Sequence, residues 1–157
     1  MSVEYDEHEW TTLLFAPLWV FEAVARADGE VSDEEWQALF NALRAARTHR
    51  HDLTRDVLLE LADDLDEIVA IFWEDEAEAE EGLSEVADLL AEKEPAETAA
   101  GFKAELVTLA VQVAKASGGW LSSGITEGEQ QAIVLISASL DMDEEAFYSI
   151  LSDLEAL

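Results

Sequence analysis

The chain has 157 residues, half of them hydrophobic, and carries 37 acidic against 8 basic side chains for a net charge of -29. That size and apolar share suit one domain with a core of its own. The charge excludes nucleic acid and anionic lipid surfaces as partners, because both are held by cationic side chains that displace counterions. No Cys is present, which removes disulfides, thiolate zinc sites and cysteine nucleophiles.

Met1 to Glu9 is acidic where a secretory signal would be basic, so a cytoplasmic location is expected. The longest apolar run, Leu13 to Phe21, contains Pro17 and stops at Glu22, too short to span a membrane. Leu14, Leu18, Phe21 and Ala25 form a helical stripe, with Pro17 either opening that helix or kinking it. Trp36, Leu39, Phe40 and Leu43 mark a second helix, and Leu58, Leu61, Leu65, Ile68 and Phe72 a third, longer one. From Glu74 to Gly82 the chain is almost purely acidic and reads as a solvated helix end or hinge. Leu83, Val86, Ala87 and Leu90 give a fourth helix. Pro95 suits the start of a fifth, which carries Phe102, Leu106, Leu109 and Val113. Ile133, Ile136 and Leu140 belong to a sixth, and Phe147, Ile150, Leu151 and Leu154 to a seventh. No stretch alternates with period two. The expected fold is all-α, a single domain over residues 1–157.

Two helix starts carry capping boxes. In Ser32-Asp33-Glu34-Glu35 the hydroxyl can accept from the Glu35 amide while Glu35 reaches back, and Thr126-Glu127-Gly128-Glu129 has the same form. Asp141 with Glu144 offers a third before the last helix. The first two boxes also mark a repeat. Val24-Ala25-Arg26-Ala27-Asp28-Gly29-Glu30-Val31 precedes one, and Val113-Ala114-Lys115-Ala116-Ser117-Gly118-Gly119, then Trp120 to Ile125, precedes the other. Each copy is a helix ending in small residues, a glycine turn, a β-branched residue, a hydroxyl cap and a new helix. The second copy carries extra residues at Gly119 to Ser123. Two pseudo-repeated helix-turn-helix units, over roughly 13–47 and 97–140, are expected to share one core.

The runs from Ala25 to Glu35, from Ala114 through Ile125 to Glu129, and from Leu140 to Phe147 together resemble the TerB-like tellurite-resistance family over nearly the whole chain. The resemblance implies about seven helices with internal pseudo-symmetry. It also implies a cytoplasmic part in stress responses, as a metal sensor or as a scaffold at the membrane. The family's acidic turn positions, read as metal ligands, fall here on Asp28, Glu35 and Glu129. Ser117 stands opposite Asp28, which breaks the symmetry of that set.

An EF-hand does not fit. With Gly29 as sixth position, the first and third ligands would be Val24 and Arg26, which offer no carboxylate. A hard cation such as Ca²⁺ or Mg²⁺ could instead bind between the turns, using Asp28, Glu30, Glu35, Glu127 and Glu129. The local alternative is that Asp28-Gly29 closes a helix and Glu35 and Glu129 serve their capping boxes. Arg44, Arg47, His49, Arg50, His51 and Arg55 form the basic patch. It either pairs with the chain's own acids or docks an acidic partner, with Arg47 and Arg50 as contacts; a metal on His49 and His51 lacks a third ligand. Trp10, Trp19, Trp36 and Trp73 lie on or beside apolar stripes and read as core. Trp120, in the inserted turn, reads as a partner anchor or as a lid over the helix ends. Phosphate-cradling loops, nucleophile elbows and metalloprotease His spacing are all missing from the sequence. The leading expectation is a non-enzymatic binding module with a protein partner. Its rivals are a switch with a metal between the turns and a carboxylate hydrolase using a divalent ion.

Overall fold

The computed structural model describes residues 5–27, 33–49, 51–75, 78–118 and 127–155, and nearly all of them are helical. In order they form α1 (Glu7–Ala27), α2 (Asp33–Ala45), a 3-10 turn (Ala46–Thr48), α3 (Asp52–Asp63), α4 (Leu65–Glu74), α5 (Ala79–Lys93), α6 (Ala96–Gly118), α7 (Glu127–Ser139) and α8 (Glu144–Glu155). No strand occurs among the described residues, and the fold is all-α.

A capping box starts α1: the Glu9 amide donates to Asp6 Oδ1 at 2.8 Å, and the Asp6 amide donates to Glu9 Oε1 at 2.9 Å. The helix thus begins well before its apolar stripe, and Pro17 lies inside it rather than opening it. Every residue from Thr12 to Phe21 is buried, so α1 is apolar on all sides and runs through the core. Thr12 is satisfied locally, donating to the His8 carbonyl at 3.0 Å. Along α6, Phe102, Leu106, Val107, Leu109, Ala110, Val111, Val113 and Ala114 are likewise buried, and α1 and α6 pack directly together. The two central helices are therefore the first helices of the two repeat units. No helix among the described residues is long and apolar enough to cross a membrane.

The long third helix expected from periodicity is two helices, α3 and α4, broken at Asp64 with φ -120 and ψ 31. Hydrogen bonding continues over the break, because the Asp64 amide donates to Glu60 O at 3.1 Å and the Ile68 amide to Asp64 O at 2.9 Å. The apolar spacing therefore runs through it. The acidic stretch after Trp73 is a helix end followed by a link, as read, but Gly82 lies inside α5. The missing side chain lets α5 close on Trp19: a Cβ there would stand 2.3 Å from Trp19 Cε2. Trp19 in turn meets Phe15 edge-on at 5.6 Å and Phe72 at 6.2 Å.

Asp141 does not cap the last helix. It sits at φ 55 and closes α7, with its amide bonded to Ala138 O and that of Met142 to Ser137 O, both at 3.0 Å. The cap of α8 is Asp143, whose Oδ1 accepts from the Glu145 amide at 2.8 Å.

Candidate functional site

The site follows from how three helices run. His8 Nε2 lies 3.2 Å from Glu85 Oε1, Lys93 Nζ donates to Glu9 Oε1 at 2.8 Å, and Trp19 covers Gly82. So α5 descends beside the ascending α1. Its C-terminus is tied to the start of α1 by Tyr5 OH, which donates to Glu94 Oε2 at 2.6 Å. Pro95 then turns the chain into α6, which sets off from the same pole as α1 and runs in the same direction. The second helices return: α2 packs on α6, and α7 packs on α1. Just past α2, His49 Nε2 lies 3.4 Å from Glu105 Oε2, and the His51 ring covers Gly101 near the start of α6. The first turn of α2 is thereby placed toward the last turns of α6, and Trp36 there meets Phe21 of late α1 at 4.6 Å. The helix α2 thus rests on α6, the first helix of the other unit, whereas α7 rests both on α1 and on α6 of its own unit.

Glu35, in the first turn of α2, and Glu129, in the first turn of α7, are both fully buried at 0% exposure. Enclosing a carboxylate is costly unless the fold compensates it; neither residue is without an interaction, and one oxygen of Glu35, Oε2, is buried with no hydrogen bond. Of the nominated residues these two are brought to the pole where α1 and α6 end. Asp28, Glu30, Trp120 and Arg50 lie outside the described residues, and Glu127 and Arg47 are placed by their backbone alone, in α7 and the 3-10 turn. Among the described residues no group of three or more His, Asp or Glu is arranged to hold a metal ion.

Two residues of the basic patch, Arg55 and His49, meet the chain's own acids. Arg55 Nη2 donates to Asp52 Oδ1 at 2.7 Å and its Nε lies 3.7 Å from Asp56. Arg44 stands over the Phe40 ring at 5.6 Å. His49 accepts from the His51 amide through Nδ1 at 3.1 Å, so its Nε2 carries the proton that faces Glu105. Burial pushes the Glu105 carboxyl above its ordinary pKa. Both ring nitrogens of His49 are engaged within the chain.

Trp19 is core, and Trp10 and Trp36 pack against it partly buried, but Trp73 is 59% exposed, contrary to the reading from its stripe. It lies in the last turn of α4, one position beyond the buried Phe72, and helix geometry turns successive side chains apart. Phe72 fits the 3-4 spacing of that stripe while Trp73 falls outside it, a signal that was available in the sequence.

No family model matches the chain. No solved structure matches it. Over 148 residues it is 33% identical to the uncharacterized protein ORF11' of Methanothermobacter thermautotrophicus, an alignment that covers 88% of this chain and 94% of the relative.

Proposed function

The chain belongs to the same family as ORF11' of Methanothermobacter thermautotrophicus, and we propose that this member is a non-catalytic binding module whose acidic corners answer to a divalent cation. The observation that carries the proposal is the complete enclosure of Glu35 and Glu129 at matching places in the two units. Capping alone does not call for that. Glu9 serves the same box at the head of α1 with its side chain still 23% exposed and paired to Lys93. Two carboxylates withdrawn from water, each in the first turn of a helix, are the donor type that Ca²⁺ or Mg²⁺ takes. The resemblance of both corners to TerB-like proteins points the same way, and with it a cytoplasmic role in stress response through a protein partner. The exposure of most other described acids supports binding rather than acid-base chemistry.

Calorimetric titration with Ca²⁺, Mg²⁺, Mn²⁺ and Zn²⁺ tests this. We expect saturable binding of one of them, weakened about tenfold or more in Glu35→Gln and in Glu129→Gln, as when a ligand or its support is removed. Asp28→Ala extends the test to the turn itself. Weak heat that never saturates, or identical binding in folded variants, would leave a plain scaffold and remove the ion.

A further inference from the structure

An acidic cleft with an aromatic lip opens beside the outer end of α4. It has a volume of about 590 Å³, and its walls include Phe72, Trp73, Ala23, Ala79 and Leu135 from four helices. Trp73 is 59% and Leu135 42% exposed, while Phe72 is buried and meets the Trp73 ring at 5.5 Å. A large aromatic left standing in water on a buried aromatic base is an uncommon use of apolar area, and such residues anchor interfaces. The rim is one-sided in charge. Among the described residues of the cleft, Glu22, Asp75, Glu78 and Glu80 stand with one cation, Arg26, which binds Glu22 at 2.8 Å.

We propose that this cleft docks a basic amphipathic helix of a partner protein, with an apolar side chain seated between Trp73 and Leu135 and Lys or Arg side chains meeting Asp75, Glu78 and Glu80. Charge decides among the occupants. A second copy of this chain would bring another -29 and set acidic rim against acidic surface, which costs energy. Anionic lipid and nucleic acid are repelled for the same reason. Strand addition needs an open sheet edge, and the described residues form none, so a helix laid in a groove is the mode the fold can serve. The inference rests on the binding-module reading and deepens it by naming the kind of partner. It does not depend on the cation.

The probe is a synthetic helical peptide with Leu and Phe on one face and Lys and Arg on the other, compared with a scrambled peptide of identical composition. Calorimetry at moderate salt reads the affinity. Trp73→Ala and Leu135→Ser, both at exposed positions, should retain full helicity and lose about tenfold or more in affinity for the amphipathic peptide. Tyr148→Ala, 61% exposed on α8, should bind as the unaltered chain does. Equal binding of both peptides, or Trp73→Ala binding undiminished, would mean unspecific attraction to an acidic surface and overturn the proposal. An unaltered chain that dimerises, with Trp73→Ala monomeric, would assign the cleft to a second copy and overturn it as well. Loss of cation binding in the preceding titration with peptide binding intact would remove the ion and keep the docking site; the reverse result would remove the docking site alone.

Discussion

The two ends of the α1–α6 pair differ in how far they enclose their carboxylates. Where the helices begin, acids meet donors near the surface: Glu9 with Lys93, Glu94 with Tyr5, Glu105 with His49. The hydrogen bond from Lys93 holds the Glu9 carboxyl below its usual range, and burial beside Glu94 pushes the Tyr5 phenol well up. Where the helices end, Glu22 is still paired with an exposed Arg26, but Glu35 and Glu129 are closed off from water. Open pairs are cheap to rearrange, since solvent replaces a lost partner. Enclosed ones commit the fold, because their polar contacts must form together with the core. A protein with a net charge of -29 has no shortage of surface acid, so the enclosed pair is where function is best sought.

The largest effect that would sharpen this contrast comes from α5, which spans both ends and is fastened differently at each. Its Lys93 end is held by an ion pair to Glu9 and a hydrogen bond from Tyr5 to Glu94, its Gly82 end by direct contact with Trp19. Gly82→Ala would put a methyl group inside the indole. Overpacking of that kind outweighs the gain of up to about 1 kcal/mol in helix propensity and should leave a net loss of about 2 kcal/mol. Urea unfolding measures it. An alanine variant as stable as its parent would mean that the two ends of α5 are equally tolerant, and the contrast would fail.

A smaller and pH-dependent effect belongs to Glu105, the most enclosed acid of the open end. Its carboxyl is raised by burial, so the folded protein holds that proton more tightly than the unfolded chain does. Stability from this group is complete below the ordinary carboxylate pKa of about 4.3 and is lost as pH rises through the folded value. Glu105→Gln keeps an acceptor for His49 Nε2–H and removes the charge. It should melt higher than the parent at neutral pH, and the gain should vanish in acid below the ordinary carboxylate pKa. A variant less stable at neutral pH would show that the His49 contact needs the charge.

Much of this was legible beforehand, and the failures have local causes. Periodicity finds which residues face a neighbour, so Leu39, Leu43, Leu106 and Ile136 are core as read. It does not see a break that keeps the hydrogen-bond ladder, which is why Asp64 passed unnoticed. Nor does it show that α1 is buried all round, since a stripe and a full apolar cylinder share the same spacing over Leu14, Leu18 and Phe21. Glu35 and Glu129 stood out by motif, yet a capping box reads alike at the surface and in the core; the packing of α2 on α6 and of α7 on α1 decides which it is. Trp73 stands beside its stripe and not on it, and large apolar side chains next to a stripe are as compatible with the surface as with the core. The turns at 28–32 and 119–126, with Asp28, Glu30 and Trp120, lie outside the described residues.

The smallest effect is the most telling about the open end. Lys93 brings a cation to Glu9 with Tyr5 close by, its Nζ 5.3 Å from the Tyr5 ring centre. Lys93→Met retains the aliphatic stem over that ring and removes the charge. Both members of the pair remain partly in water, so at moderate salt the melting temperature should hardly move. At low ionic strength the variant should fall behind, because one more uncompensated acid adds to a surface that already repels itself. The parent must be followed in parallel, since screening alone should raise its own melting temperature with salt. The quantity that matters is the gap between the two proteins, which should close as salt approaches about 1 M and the screening length falls to roughly 3 Å. A gap that persists there would make the Lys93 contact structural rather than electrostatic, and the open end would then resemble the enclosed one.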